Sequence, residues 1–400
     1  MANNIINPKK INIQSINITN INGKTIDLRS VFLTMNIYES IFDFFLHGKI
    51  AIFDNSDLIQ NFPIVGNEKI EIILGQEDKN VILDFRLYKI DRDTKTYRGI
   101  NKKKVFILYF VSEEQIKCGL NRISRRFEDK PENIISTCLT KILQSEKKFN
   151  FESTKEKREV YSNFWTFSKL VEFLSRISLN NKFSDYIFYE NFDGFNFESL
   201  SSLMMKPKES DIVFKNDNDK LLQTNNIKKY RMNKYFDILS NINLGMYGNR
   251  YYKLDPIYHE FKITDDDFTD IQEKIASLGN HSLFDKELSS DLNHVSENLY
   301  QPEISSARTI SKKLLENYNF VMKLNGYLDR KVGQVVSIKF PNLDNESLIN
   351  KSFDGNYLIM EINHIIDQDR NYEQNIMACK NSFLMNDSMP KISKFKNGGG

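Results

Sequence analysis

The chain has 400 residues, 40% of them hydrophobic, 27% charged and 12% aromatic, with a formal net charge of +2. That length allows about two to four domains and a sizeable core. The near-neutral balance excludes a nucleic-acid or membrane-surface binder driven by net charge alone.

In chain order, residues 1–112 read as antiparallel β-structure. Ile11, Ile13, Ile16 and Ile18 alternate with polar residues, with one slip that predicts a bulge. Asn22-Gly23 is a hairpin turn signal. Strands are predicted over 26–38, 42–53, 69–74, 81–91 and 105–112, the last reached through a charged loop over 91–104. Within 42–53, Phe42, Phe44 and Leu46 alternate with Asp43, Phe45 and His47. Apolar bulk on both faces predicts a strand buried between its own core and a neighbouring subunit.

From 113 to 205 the period changes. Ile116, Leu120, Ile123 and Phe127 fall at helical spacing. Pro131 suits an early helix position, followed by Ile134, Ile135, Cys138, Leu139 and Ile142. A third helix is predicted over 166–178. A hairpin of 186–190 and 195–200 turns at Asp193-Gly194. Strands resume at 233–241, 248–254 and 257–263, then a polar segment carries a helix over about 306–316. The final strands are predicted over 319–324, 335–340, 357–366 and 372–379, with Asp354-Gly355 as a turn and a loose tail from 388.

Little of this carries chemistry. Asp265-Asp266-Asp267 reads as a solvated helix entry, where carboxylates suit the N-terminal dipole, since no calcium-loop spacing follows. His47 is a packed strand histidine with no second ligand close in sequence, and His364 lies in a strand with Glu361 on the opposite face. Trp165 reads as core. Lys102-Lys103-Lys104 and Arg125-Arg126 are short basic clusters without an aromatic platform. Cys118, Cys138 and Cys379 are isolated, and the five histidines never pair at ligand spacing, which argues against disulfides and a zinc site. No GxSxG, HExxH, GxxxxGKS or GxGxxG is present. No catalytic residue, cofactor or metal is therefore expected. The N-terminus lacks a signal-peptide layout, and no apolar run approaches the roughly 20 residues of a membrane span. Folding in the cytoplasm of the producing cell, without membrane insertion, is expected.

Three stretches carry a resemblance. The first is Tyr38-Glu39-Ser40-Ile41, Gly48-Lys49-Ile50, Phe53-Asp54, Pro63-Ile64 and Gly66-Asn67-Glu68. The second is Ser162 to Phe167, Tyr186 to Glu190 and Asp193 to Leu200. The third is Leu324-Asn325-Gly326, Lys331 to Val336, Pro341 and Gly355 to Ile359 with His364. In this order they resemble the baseplate hub proteins of contractile-tailed, T-even-like bacteriophages, related to the hub part of VgrG-type spikes. Residues 265–317 and the tail do not align with that pattern.

The resemblance implies a homotrimer in which each chain contributes two tube domains, so that three chains form a pseudo-sixfold ring. That ring would adapt a hexameric tail tube to a trimeric spike. The fold expected is α+β, mainly β: two antiparallel β-barrel-like tube domains with an α/β domain between them and a helical insertion in the second barrel. The boundaries are 1–112 for the first tube domain, 113–205 for the α+β domain, 206–264 with 318–385 for the second, 265–317 for the insertion and 386–400 for a mobile tail.

The implied role is structural and non-enzymatic, in the tail baseplate of a virion assembled in the host cytoplasm. Implied partners are further copies of the chain, tail tube protein, a separate central spike protein, baseplate wedge proteins, tape-measure protein, and DNA only in transit. Phe42, Phe44 and Phe45 are the expected subunit-interface residues, with a charge at Phe45 expected to impair assembly more than folding. The rival readings are the hub of a secretion-type, VgrG-like machine, a tail-associated peptidoglycan hydrolase, and a nucleic-acid binder.

Overall fold

The computed structural model describes residues 10–54, 61–92, 105–213, 225–234, 237–243, 247–255, 259–267, 274–279, 281–282, 295–296, 302–339, 341–342, 345–349 and 353–383. The first block holds β1 (Asn12–Thr19), β2 (Thr25–Asp27), β3 (Phe32–Ser40), β4 (His47–Phe53), β5 (Lys69–Gln76), β6 (Lys79–Arg92) and β7 (Val105–Ser112). Alternation buries Ile13, Ile16 and Ile18 of β1, and the predicted bulge appears as a register shift between Ile13 and Ser15 against β5. Each isoleucine buried this way stabilises the fold by roughly 1.5–3 kcal/mol.

The middle block is α1 (Glu113–Leu120), β8 (Ile123–Asp129), α2 (Pro131–Lys141), β9 (Phe149–Phe151), β10 (Arg158–Trp165), α3 (Phe167–Ile177), β11 (Tyr186–Asn191), β12 (Gly194–Ser199) and α4 (Leu200–Met205). Pro131 starts α2 at its first turn. The Thr166 hydroxyl caps α3 by accepting the Lys169 N–H at 3.2 Å. The hairpin of β11 and β12 forms in the expected register, Asn191 opposite Gly194.

The last block is β13 (Ser210–Val213), β14 (Ile227–Lys234), α5 (Ile238–Asn243), β15 (Gly248–Asp255), β16 (Glu260–Asp267), β17 (His281–Ser282), β18 (Val295–Ser296), α6 (Pro302–Asn317), β19 (Asn319–Asn325), β20 (Val335–Lys339), β21 (Pro341–Asn342), β22 (Asn345–Ile349), β23 (Gly355–Asp367), β24 (Tyr372–Cys379) and β25 (Ser382–Phe383).

The fold is mainly β, and both outer blocks belong to one 13-stranded sheet of order β14-β19-β24-β23-β3-β4-β7-β6-β5-β1-β2, with β20 on β23 and β13 on β20. The hinge of this sheet is β23. Its first residues pair with β20, from Gly355–Ile338 to Leu358–Val335, and its last seven pair with β3, from Glu361–Ser40 to Asp367–Thr34. Along its other edge runs β24. Isolated bridges join Lys10 to Asn371 and Val213 to Asn226. Three apolar cores result. One fills the first block, one fills the last block together with α6, and one lies in the middle block under α2 and α3.

Several expectations are corrected. The strand predicted from Phe42 begins only at His47, because residues 41–46 turn. The Phe42 N–H goes to the Ser40 hydroxyl, the Asp43 N–H to the Ser40 carbonyl and the Leu46 N–H to a Glu190 carboxylate oxygen. A backbone whose donors are taken in this way has no ladder to join. The run 26–38 is broken by Asp27, whose carboxylate accepts the Arg29 N–H at 3.0 Å.

Ile123 and Phe127 are not helical; they lie on β8, paired with the unanticipated β10. A spacing of four fits one face of a helix and one face of a strand equally well. The strand predicted over 233–241 contains instead the start of α5, where the Asp237 carboxylate accepts the Ser240 N–H at 3.0 Å. The acidic run Asp265 to Asp267 closes β16 rather than opening a helix, and Asp265 pairs with Arg250 at 2.6 Å. β9, α4 and β13 had no counterpart in the sequence reading. The Lys102-Lys103-Lys104 cluster and the tail 386–400 lie outside the described residues.

Candidate functional site

The three blocks meet where the β3–β4 connection, residues 41–46, is clasped by the middle and last blocks. Phe45 is 5% exposed, with its ring 6.3 Å from Phe167 and 6.1 Å, edge-on, from Phe195. Phe44 is half-buried, 5.9 Å from Phe188, and Phe42 packs partly buried against the core of the last block. The three phenylalanines expected at a subunit interface therefore divide. Phe45 belongs to the chain's own core, so a charge there penalises folding first, which reverses the expected order. Phe42 and Phe44 line a cavity of about 290 Å³ between this connection, α3, β11 and α6.

Buried carboxylates fasten the junction. Glu190 of β11 accepts from the Leu46 N–H at 2.8 Å, the Ser112 hydroxyl at 2.7 Å and the Lys147 ammonium at 2.6 Å. Lys147 also reaches Glu114 at 2.7 Å. Burial works against the Lys147 charge, but the two carboxylates outweigh it and hold its pKa above the ordinary lysine value. Glu39 of β3 accepts the N–H of Phe192 at 3.3 Å and of Val332 at 3.2 Å. It thus ties the first block to the hairpin of the middle block and to a loop of the last.

His364 of β23 sits beside Glu39, its Nε2 3.5 Å from Oε1. Its Nδ1 lies 2.7 Å from the Tyr372 hydroxyl, and its ring stacks on Phe192 at 4.4 Å. The partner that the sequence could not supply for His364 is therefore a carboxylate from the neighbouring strand. The Gln374 side chain donates to the Tyr372 hydroxyl and the Tyr327 carbonyl, both at 3.0 Å, and accepts from Arg330 at 2.5 Å. Gln76 of β5 holds the same turn, donating to the Gly326 carbonyl at 3.0 Å and accepting the Leu328 N–H at 2.8 Å. Burial pushes Arg330 down to about 10.

This arrangement joins elements of all three blocks through buried side-chain hydrogen bonds. His47 stacks on Tyr38 at 5.1 Å, and Trp165 packs tilted against Phe173 at 5.3 Å. Arg125 lies over Phe127 at 5.3 Å, while Arg126 is paired with Glu159 at 2.7 Å. The three cysteines are buried thiols, with Cys138 pushed up to about 12 by burial. Among the described residues no three His, Cys, Asp or Glu side chains converge at metal-binding range. No helix among them is long and apolar enough to cross a membrane. Sequence reading missed Glu39, Glu190, Gln76 and Lys147; the signal for the first three was charge or amide at otherwise apolar strand positions, and Lys147, in the loop before β9, gave none.

No protein-family model and no curated protein matches the sequence. Solved structures do match. A 43 kDa tail protein of prophage MuSo2 from Shewanella oneidensis aligns with a TM-score of 0.58 at 11% identity, over 92% of this chain and 98% of that one. A tail protein from Neisseria meningitidis MC58 aligns with a TM-score of 0.58 at 8% identity, over 92% of this chain and 97% of that one. A PdpA-VgrG complex from Francisella matches with a TM-score of 0.49 at 12% identity, over 98% of this chain and 61% of that one. Over 92% of its length, then, this chain has the fold of these phage tail proteins, and buried carboxylates fasten its blocks together.

Proposed function

We propose that this chain is a structural, non-enzymatic subunit of a phage baseplate hub, and that three copies close a pseudo-sixfold ring between tail tube and spike. The observation that carries this reading is the whole-length match to two tail proteins, at 92% of this chain and nearly all of theirs. The joined sheet supports it: two outer β blocks share β23, and the Lys10–Asn371 bridge links the start of the first block to the last. On this reading the blocks are two barrel-like tube domains, with 113–205 between them. The segment 265–317 docks a neighbouring baseplate protein. Phe42 and Phe44 face a neighbouring subunit, and buried Phe45 shapes the loop that presents them. The partners are tail tube protein above, a separate spike below, wedge proteins at the side, and tape-measure protein and DNA passing through.

The test is native mass measurement with electron microscopy of the purified chain, alone and mixed with its spike protein. A trimer with a central hole is expected. A chain that stays monomeric in both settings overturns the reading.

A further inference from the structure

The cavity beside Phe42 and Phe44 carries more positive than negative charge, with Arg176, Arg308 and Lys312 against Glu172. Arg308 and Lys312 of α6 line it opposite Glu172 and Arg176 of α3. Glu172 is already bonded to Arg176, one turn away on the same helix. Among the described residues neither Arg308 nor Lys312 forms an ion pair. The Arg308 Nε is enclosed without a hydrogen-bond acceptor, and Lys312 rests over the Phe42 ring at 5.7 Å. Of the buried acid Asp185, Oδ2 accepts from the hydroxyls of Ser201 at 2.7 Å and Ser311 at 2.6 Å, while Oδ1 has no hydrogen-bond partner; among the described residues no ion pair joins it to Arg308 or Lys312. Burial, with Arg176 adding to it, pushes Arg308 down to about 10; burial and Arg308 push Lys312 down to about 8.

A half-buried cation without a counter-ion costs free energy that an arriving anion recovers, and planar guanidinium beside ammonium suits a carboxylate. The phenylalanine floor adds a second requirement, for an apolar neighbour next to that carboxylate. All three blocks contribute to the cavity, so it exists only in the complete fold.

We propose that this cavity is a socket for an Asp or Glu side chain, flanked by an apolar residue, from a second copy of this chain. The proposal rests on the ring reading above and adds a location and a chemistry to it. A second copy is the occupant favoured because the expected interface phenylalanines form the socket floor. The charges to be met are also ones that a near-neutral chain, with 53 acids against 55 bases, can supply from its own surface.

Carbodiimide coupling tests it. The reagent activates a carboxylate in contact with the Lys312 amine. An amide forms and the reagent leaves as its urea, so only a carboxylate already in the socket is captured. The full chain is assembled from an equal mixture of isotopically light and heavy copies. The expected product joins Lys312 to an Asp or Glu peptide of the other isotope, and it disappears in Lys312→Arg. Coupling confined to one chain, for example to Glu172, overturns the proposal.

A second arm is Arg308→Glu with Lys312→Glu, in protein shown by circular dichroism to be folded. Assembly is expected to weaken by at least about tenfold, the scale of removing a desolvated charge partner. If wild type and this variant form the same ring equally well, the socket is wrong and the ring reading stands. If wild type never assembles, the ring reading falls and takes the socket with it.

Discussion

Lys380 is 1% exposed and lies between two tyrosine rings, 4.5 Å from Tyr318 and 5.1 Å from Tyr357. Burial pushes its amine from the ordinary 10.5 down to about 7. A lysine lowered in this way costs stability wherever it is charged in the fold. Between pH 7 and 9 the unfolded chain still holds the proton that the folded chain gives up, so stability rises with pH, by about 2 kcal/mol from this group. Lys380→Met should lose that rise, measured as the difference in unfolding free energy between pH 7 and pH 9. An unchanged difference would show that the amine is solvated.

Gly326 poses a steric version of the same question. Its N–H donates to the Tyr372 carbonyl at 2.8 Å, and a Cβ there would fall on the Tyr372 ring. His364 and Gln374 fix that ring, so it cannot step aside. Gly326→Ala should cost about 1–3 kcal/mol by overpacking. Gly119, on α1 with nothing near its Cβ direction, gives the contrasting control. Gly119→Ala should be neutral or stabilising by up to about 1 kcal/mol, and thermal melts of the pair check both.

At the scale of elements, the informative unit is the connection between β3 and β4. In sequence it looks like the beginning of a strand because its residues alternate and are large. In the fold it is a turn, because Glu190 on β11 takes the Leu46 N–H that a ladder would need. Glu190→Leu should cost about 1–3 kcal/mol for each donor it leaves unmet, the Leu46 N–H and the Ser112 hydroxyl, while Lys147 keeps Glu114. Amide exchange at Leu46 should quicken in the same variant. Adding Lys147→Met should deepen the loss, because buried Glu114 then has no counter-charge. A double variant as stable as Glu190→Leu would place the whole effect on the hydrogen bonds to Leu46 and Ser112. The helices behave differently. α2 and α3 were legible because Pro131, the Thr166 cap and apolar spacing agree on one answer. β8 was not legible, because Ile123 and Phe127 satisfy two periods at once.

At the scale of the molecule, the two outer blocks are not separate bodies joined by a linker. Seven ladder pairs between β3 and β23 make their sheets one, so strain at one end is carried by backbone hydrogen bonds to the other. A rigid chain of this kind suits a ring subunit, and the expected trimer of a 47.0 kDa chain is a statement about assembly, checked by mass. Closure in a ring also covers sheet edges that a monomer leaves exposed to aggregation.

What the amino-acid sequence determined by itself was local. It set the alternation that makes strands, the apolar stripes of α2, α3 and α6, and the Asp-Gly hairpin of β11 and β12. Short-range spacing and turn chemistry carry that information. Only the tertiary structure decided that β23 serves both blocks, that Phe45 is core while Phe42 and Phe44 line a cavity, and that Glu39 lies beside His364. Each of these rests on at least one contact between residues more than a hundred positions apart. The physical reason is that a buried carboxylate or a shared strand is stabilised by whichever donor or edge the packed fold brings to it, and neighbours in sequence do not specify which one that is.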